Sequence, residues 1–248
     1  MTSSRTFAGV SALIFAVSAA VTIAWCGSMP AMGGMAMPWM RMPGQSWPGT
    51  AASFLGMWIV MMVAMMLPAL LPMLARYRLA VGRMGAARLG SLTVIVSAGY
   101  FSVWALIGLA AFPLGVTLTQ AGMHWPAVIS AIPAAAAAVV LIAGALQFTA
   151  WKKRQLACCR EAPARGHALS ADIGTAWRHG LSLGLRCSTC CAGLTAILLA
   201  IGVMDLRAMA GVTAAITLER LAPASELVAR VIGIVIMAAG LVLITRAI

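Results

Sequence analysis

Apolar residues run almost unbroken through five stretches of the chain: Phe7 to Cys26, Ala51 to Leu74, Leu92 to Phe112, Ala127 to Ala150 and Leu181 to Val203. Each reaches the roughly 20 residues that a helix needs to cross a hydrocarbon core about 30 Å thick. Val228 to Thr245 is an adequate further span. Ala208 to Ala222 is marginal, so the last 40 or so residues read either as two passes or as one pass with a re-entrant hairpin. The segments do not alternate apolar and polar residues as barrel strands do, and backbone groups in lipid must pair internally. The pattern predicts an all-α polytopic transmembrane helix bundle of about seven helices, six of them full spans and one short or re-entrant.

Composition agrees. With 62% hydrophobic and 9% charged residues in 248 and a mean hydropathy of +1.00, a solvated globular domain is excluded and membrane lipid is the expected surrounding. The net charge of +12 is distributed as a topology signal. Arg5, Arg76, Arg78, Arg83, Arg88, Lys152, Lys153, Arg154, Arg160, Arg165, Arg178, Arg220 and Arg230 fall on one side, and Arg41, Arg207 and Arg246 on the other. Basic loops stay in the cytoplasm, which predicts a cytoplasmic N-terminus in a bacterial-type inner (plasma) membrane. No basic surface interleaved with aromatics is present, so nucleic acid is not an expected partner. Residues 1–26 form a charged start and a long apolar run ending in Trp25-Cys26, which fits a retained transmembrane anchor better than a cleaved signal peptide. The organisation expected is this anchor, a Met-rich extracytoplasmic loop over 27–50, and a helical membrane domain over 51–248 with a basic cytoplasmic loop at 151–180.

Sulfur changes the picture. Cys187, Cys190 and Cys191 stand inside an apolar span; positions i, i+3 and i+4 share one helix face, so the three thiols point the same way. Arg186 precedes them and, with the positive end of the helix, is the expected counter-charge for an ionised thiol in lipid. Met61, Met62, Met65 and Met66 form a double stripe at i, i+4 spacing on the second span. Pro68 and Pro72 are expected to bend its inner end. The two spans run in opposite directions, so the stripe and the cysteines lie at comparable depth and meet if those helices touch. Packing in lipid explains either feature alone equally well; together, thiol and thioether ligands select Cu(I) before other biological metals, with another soft metal as the alternative.

The extracytoplasmic segment carries Met29, Met32, Met35, Met37, Met40 and Met42 among Gly and Pro, an adaptable loop whose neutral thioethers suit weak, exchangeable metal binding. Cys158 and Cys159 in the basic loop would stay reduced in the cytoplasm and could pass the ion on. His167 and His179 in the basic loop and His124 in the outer loop are accessory ligand candidates, although a single imidazole is more often a solvated polar residue. Gln147 and Thr149 are conspicuous polar groups at the inner end of the fourth span, suited to a supporting role around a metal or to a bond between helices.

The segments Trp58 to Leu74 (WIVMMVAMMLPALLPML), Gly99 to Trp104, Gly144 to Thr149 with Lys152 and Cys158, Trp177 to Gly180, Cys187 to Cys191, Gly202 to Asp205 and Glu219-Arg220 resemble the family of predicted metal-binding integral membrane proteins, over about residues 50 to 245. The resemblance implies metal binding, with the family's sulfur-rich motif on Cys187, Cys190 and Cys191 and its AMMLP motif on Ala64 to Pro68. The chain departs from the pattern at Thr189, Ala192 and Thr149-Ala150.

Three functions fit these residues. The chain is a membrane protein that binds Cu(I) and transfers or transports it, a membrane thiol-disulfide oxidoreductase using Cys187 and Cys190, or a non-transporting subunit that holds metal for a chaperone or a membrane complex. There is no P-loop, so transport would be passive or gradient-coupled. The redox reading lacks a second thiol pair on the outer side, where only Cys26 lies. Five acidic residues, no two of them paired within one span, leave no basis for hydrolysis, and no catalytic residue is assigned.

Overall fold

A computed structural model describes residues 2–28, 39, 44–81, 85–160 and 172–247. Among them it is all-helical, with eight helices and no strand: α1 (Thr2–Ser28), α2 (Trp47–Ala80), α3 (Ala86–His124), α4 (Pro126–Leu146), α5 (Ala150–Arg160), α6 (Ile173–Ile201), α7 (Leu206–Leu221) and α8 (Ser225–Ala247). Five of these, α1, α2, α3, α6 and α8, are long and apolar enough to cross a membrane. The pair α4 and α5, bent by 71° at its break, makes a sixth if counted as one span. Their outward faces expose large apolar side chains such as Leu13, Leu109, Leu185 and Ile234, as suits helices surrounded by lipid.

Several boundaries follow from local chemistry. Ser46 accepts from the Gly49 amide to start α2, and Asp172 accepts from the Thr175 amide at 2.8 Å to start α6. Asp205 caps α7 through the Arg207 and Ala208 amides, each cap satisfying donors that have no partner within the helix. Gly202, at φ 136°, lets the chain turn out of α6. Pro68 and Pro72 lie inside α2, which the chain keeps as one helix from Trp47 to Ala80.

Two segments take definite form. Within the basic segment 151–180, Ala150–Arg160 is helical, and α6 begins at Ile173, eight residues before the apolar run that predicted it. A basic surface with one apolar face satisfies α5, because it packs on α6 and α7. Ala208 to Ala222 forms α7, a helix of 16 residues, which at 1.5 Å per residue is about 24 Å long and shorter than a hydrocarbon core.

α3 packs most extensively on α6, and α4 on α8. The α3–α6 seam is made by glycines. A Cβ on Gly99 would stand 2.7 Å from the Trp177 carbonyl and one on Gly184 2.8 Å from that of Tyr100, and Gly180 faces the Val96 carbonyl more closely still. α2 packs on α1, α3 and α7, and α6 on α3, α4, α5 and α7. The second span and the cysteine helix are therefore not principal neighbours, and α7 packs on both.

Direction along the bundle follows from contacts. The Arg78 guanidinium near the end of α2 sits over the Phe7 ring at the start of α1, 4.7 Å from its centroid. Tyr77 stacks on His179 near the start of α6. Cys26, at the end of α1, and Met204, just past the end of α6, lie at the opposite end. Cys187 is the midpoint of α6.

Candidate metal centre

Cys187, Cys190 and Cys191 are all buried, each with at most 2% of its surface exposed, as their shared helix face requires. The sulfurs of Cys187 and Cys191 are 4.0 Å apart. From α3, the Tyr100 hydroxyl donates to the Cys187 sulfur at 2.8 Å across the close glycine seam. From α5, Cys159 is also buried. Its thiol donates to the Arg186 carbonyl at 3.1 Å and is within hydrogen-bond reach of Cys190. Its neighbour Cys158 is exposed, because consecutive helical residues are turned about 100° apart. Cys190 is also within hydrogen-bond reach of Cys191, so the cluster is one continuous series of thiols: Cys187, Cys191, Cys190 and Cys159. Among the described residues no three Cys, His, Asp or Glu side chains are gathered as a ready ligand set.

The charge at the cluster comes from α7. Arg220 is buried, with Nη2 3.6 Å from the Cys159 sulfur and 4.0 Å from that of Cys191, and Nη1 3.7 Å from the Met73 thioether. Arg186 presents an exposed side chain, since the residue before Cys187 points off the buried face. The guanidinium beside the sulfurs is therefore that of Arg220, and Arg186, expected there, meets the cluster through its carbonyl. Among the described residues no carboxylate pairs with Arg220. The nearest acid, Glu219, belongs to Lys152, whose Nζ is 2.7 Å from Oε2 with both side chains almost wholly buried. Lys152 also donates to the Cys190 carbonyl at 2.9 Å. Lys152 and Arg220, read from the sequence as loop charges, are both inside the bundle.

The other candidates divide. Gln147 is buried beside Glu219, with its Oε1 lacking a partner. Thr149 accepts from the Lys152 amide at 3.2 Å and so caps the first turn of α5 rather than approaching sulfur. Met61, Met62, Met65 and Met66 are all buried in the core, but the α2 sulfur that reaches the cluster's guanidinium is Met73. Met29, Met32, Met35, Met37, Met40 and Met42 lie outside the described residues, as does His167. His124 is exposed in the last turn of α3.

Sequence reasoning passed over Tyr100, Lys152, Glu219 and Arg220 as site residues. The signal for the last two was present: an adjacent acid and base in an otherwise apolar segment is expensive in lipid and marks an internal polar site.

Four buried thiols gathered beside a buried guanidinium thus define the chain as an all-helical protein with an internal sulfur cluster. Residues 55–243 match the model of the family described as PpoB2, copper chaperone, and the protein belongs to it. No curated protein and no solved structure matches the chain.

Proposed function

We propose that this protein binds Cu(I) within the membrane at Cys187 and Cys191 and passes it on through Cys190, Cys159 and Cys158, acting as a membrane-embedded copper chaperone. The observation that carries the reading is Arg220, a buried cation whose near neighbours are sulfur atoms and whose sequence neighbour Glu219, among the described residues, is held by Lys152. Burying a lone charge in a medium of low dielectric costs many kcal/mol. Two thiolates with one monovalent ion carry a net charge of minus one, which Arg220 neutralises. A divalent ion on the same pair would leave the guanidinium unbalanced.

The donor set points the same way. Thiolates and thioethers are soft ligands that favour Cu(I). Two sulfurs 4.0 Å apart are within the reach of one ion, since metal–thiolate bonds of about 2.3 Å span at most about 4.6 Å. Tyr100 holds Cys187 in place by its hydrogen bond. Exchange along the four buried thiols needs only short steps, and Cys158, one residue from Cys159, offers an accessible sulfur to a partner chaperone or complex. The basic residues at the Phe7 end support a cytoplasmic location for that end.

Anaerobic loading of purified protein with Cu(I), followed by metal analysis, tests the reading. The Cys187→Ser/Cys191→Ser variant should lose one tightly held equivalent. Copper content equal to that of the unaltered protein would refute it.

A further inference from the structure

At the end of the bundle away from the thiol cluster, two sulfur atoms from distant parts of the chain meet. Cys26, in the last turn of α1, lies with Sγ 3.7 Å from Sδ of Met204, which sits in the turn between α6 and α7. Both are partly exposed, so the pair is open to ions without being a bare surface feature. Thirteen residues separate Met204 from Cys191, a distance of about 20 Å at helical rise; the pair is therefore separate from the inner cluster.

We propose that Cys26 and Met204 form a second soft-metal site, which takes a monovalent ion such as Cu(I) or Ag(I) before it reaches the thiol cluster. One thiolate and one thioether are sufficient donors for a two-coordinate soft ion and leave no net charge on the complex. The site needs no guanidinium, unlike the dithiolate pair that Arg220 compensates. Between the two sites runs α2, whose Met57, Met61, Met65 and Met66 are buried on the helix that packs against α1 at one side and α7 at the other. Its Met73 ends that column at Arg220. The ion's identity rests on the copper reading given above; the existence of the site rests on the Cys26–Met204 contact alone.

The test uses the full-length protein in detergent, with Ag(I) as a redox-inert probe, and reads maleimide labelling of Cys26 by mass spectrometry together with bound Ag(I). Ag(I) should protect Cys26 from labelling in the unaltered protein and in Cys187→Ser/Cys191→Ser. Met204→Leu, which keeps the side-chain volume, should weaken protection about tenfold, and Cys26→Ser should lose one equivalent of Ag(I). Absence of protection, or protection that Met204→Leu leaves unchanged, overturns the proposal. Persistence of Cys26 protection alongside an unchanged metal content in Cys187→Ser/Cys191→Ser would instead count against the inner site and leave this one standing.

Discussion

Lys152 and Glu219 form a 2.7 Å ion pair sealed inside the bundle, joining α5 to α7 directly beneath the thiols. Removing one partner strands the other charge. Lys152→Met should destabilise the protein by about 3–5 kcal/mol, whereas Lys152→Met combined with Glu219→Leu should recover much of that loss. Denaturation of the four proteins in detergent, analysed as a double-mutant cycle, checks it.

Arg220 is the only guanidinium within reach of the cluster sulfurs among the described residues. Arg220→Leu should weaken Cu(I) binding by about thirtyfold or more, equivalent to roughly 2 kcal/mol. Arg220→Lys should fall between, because an ammonium keeps the charge but cannot reach Cys159, Cys191 and Met73 together. Competition against a Cu(I) chelator measures the order.

Cys158 and Cys159 differ in exposure although adjacent. Alkylation of the native protein should modify Cys158 at least about tenfold faster than Cys159 and the three α6 cysteines, and the difference should vanish on unfolding. Peptide mapping after a timed pulse of iodoacetamide reads this.

The Gly99 contact leaves no room for a methyl group, with the Trp177 carbonyl 2.7 Å from where a Cβ would lie. Gly99→Ala should push α3 from α6, lower stability by about 1–3 kcal/mol and lengthen the Tyr100–Cys187 hydrogen bond. A lowered melting temperature with a parallel loss of Cu(I) affinity is the expected result.

Asp172 caps α6 outside the apolar segment, and the hydrogen bonds from the Thr175 hydroxyl and amide hold its carboxyl below the ordinary value of 3.8. A depressed folded value means the cap contributes above pH 3.8 and is lost as pH falls through the lower folded value. The protection of the Thr175 amide relative to its unstructured exchange rate should therefore fall on acidification below about pH 4, and Asp172→Asn should flatten that dependence.

The sequence made the class of fold legible because lipid leaves few alternatives: long apolar runs must be helices, and seven of the eight helices overlap a run of their own read from hydropathy. The helix it concealed, α5, has too many charges for a hydropathy reading, and its fixed position depends on contacts with α6 and α7. The thiols on α6 were legible because their spacing alone puts them on one face. Arg220 and Tyr100 were not, since their role arises from how α7 and α3 stand against α6, which no local periodicity encodes. Arg186 stood next to the cysteines in the chain yet across the helix from them. Nearness in sequence misled where angle around the axis decided.

The glycine seam between α3 and α6 has a mechanical meaning. Where two backbones meet without intervening side chains there is nothing soft to give way, so Tyr100 and Cys187 sit on a close-packed stator. If the cluster carries an ion as proposed, its opening falls to the opposite wall, where Arg220, Lys152 and Cys159 hang from the shorter rods α5 and α7. A partner drawing that ion out would then act by tilting that wall.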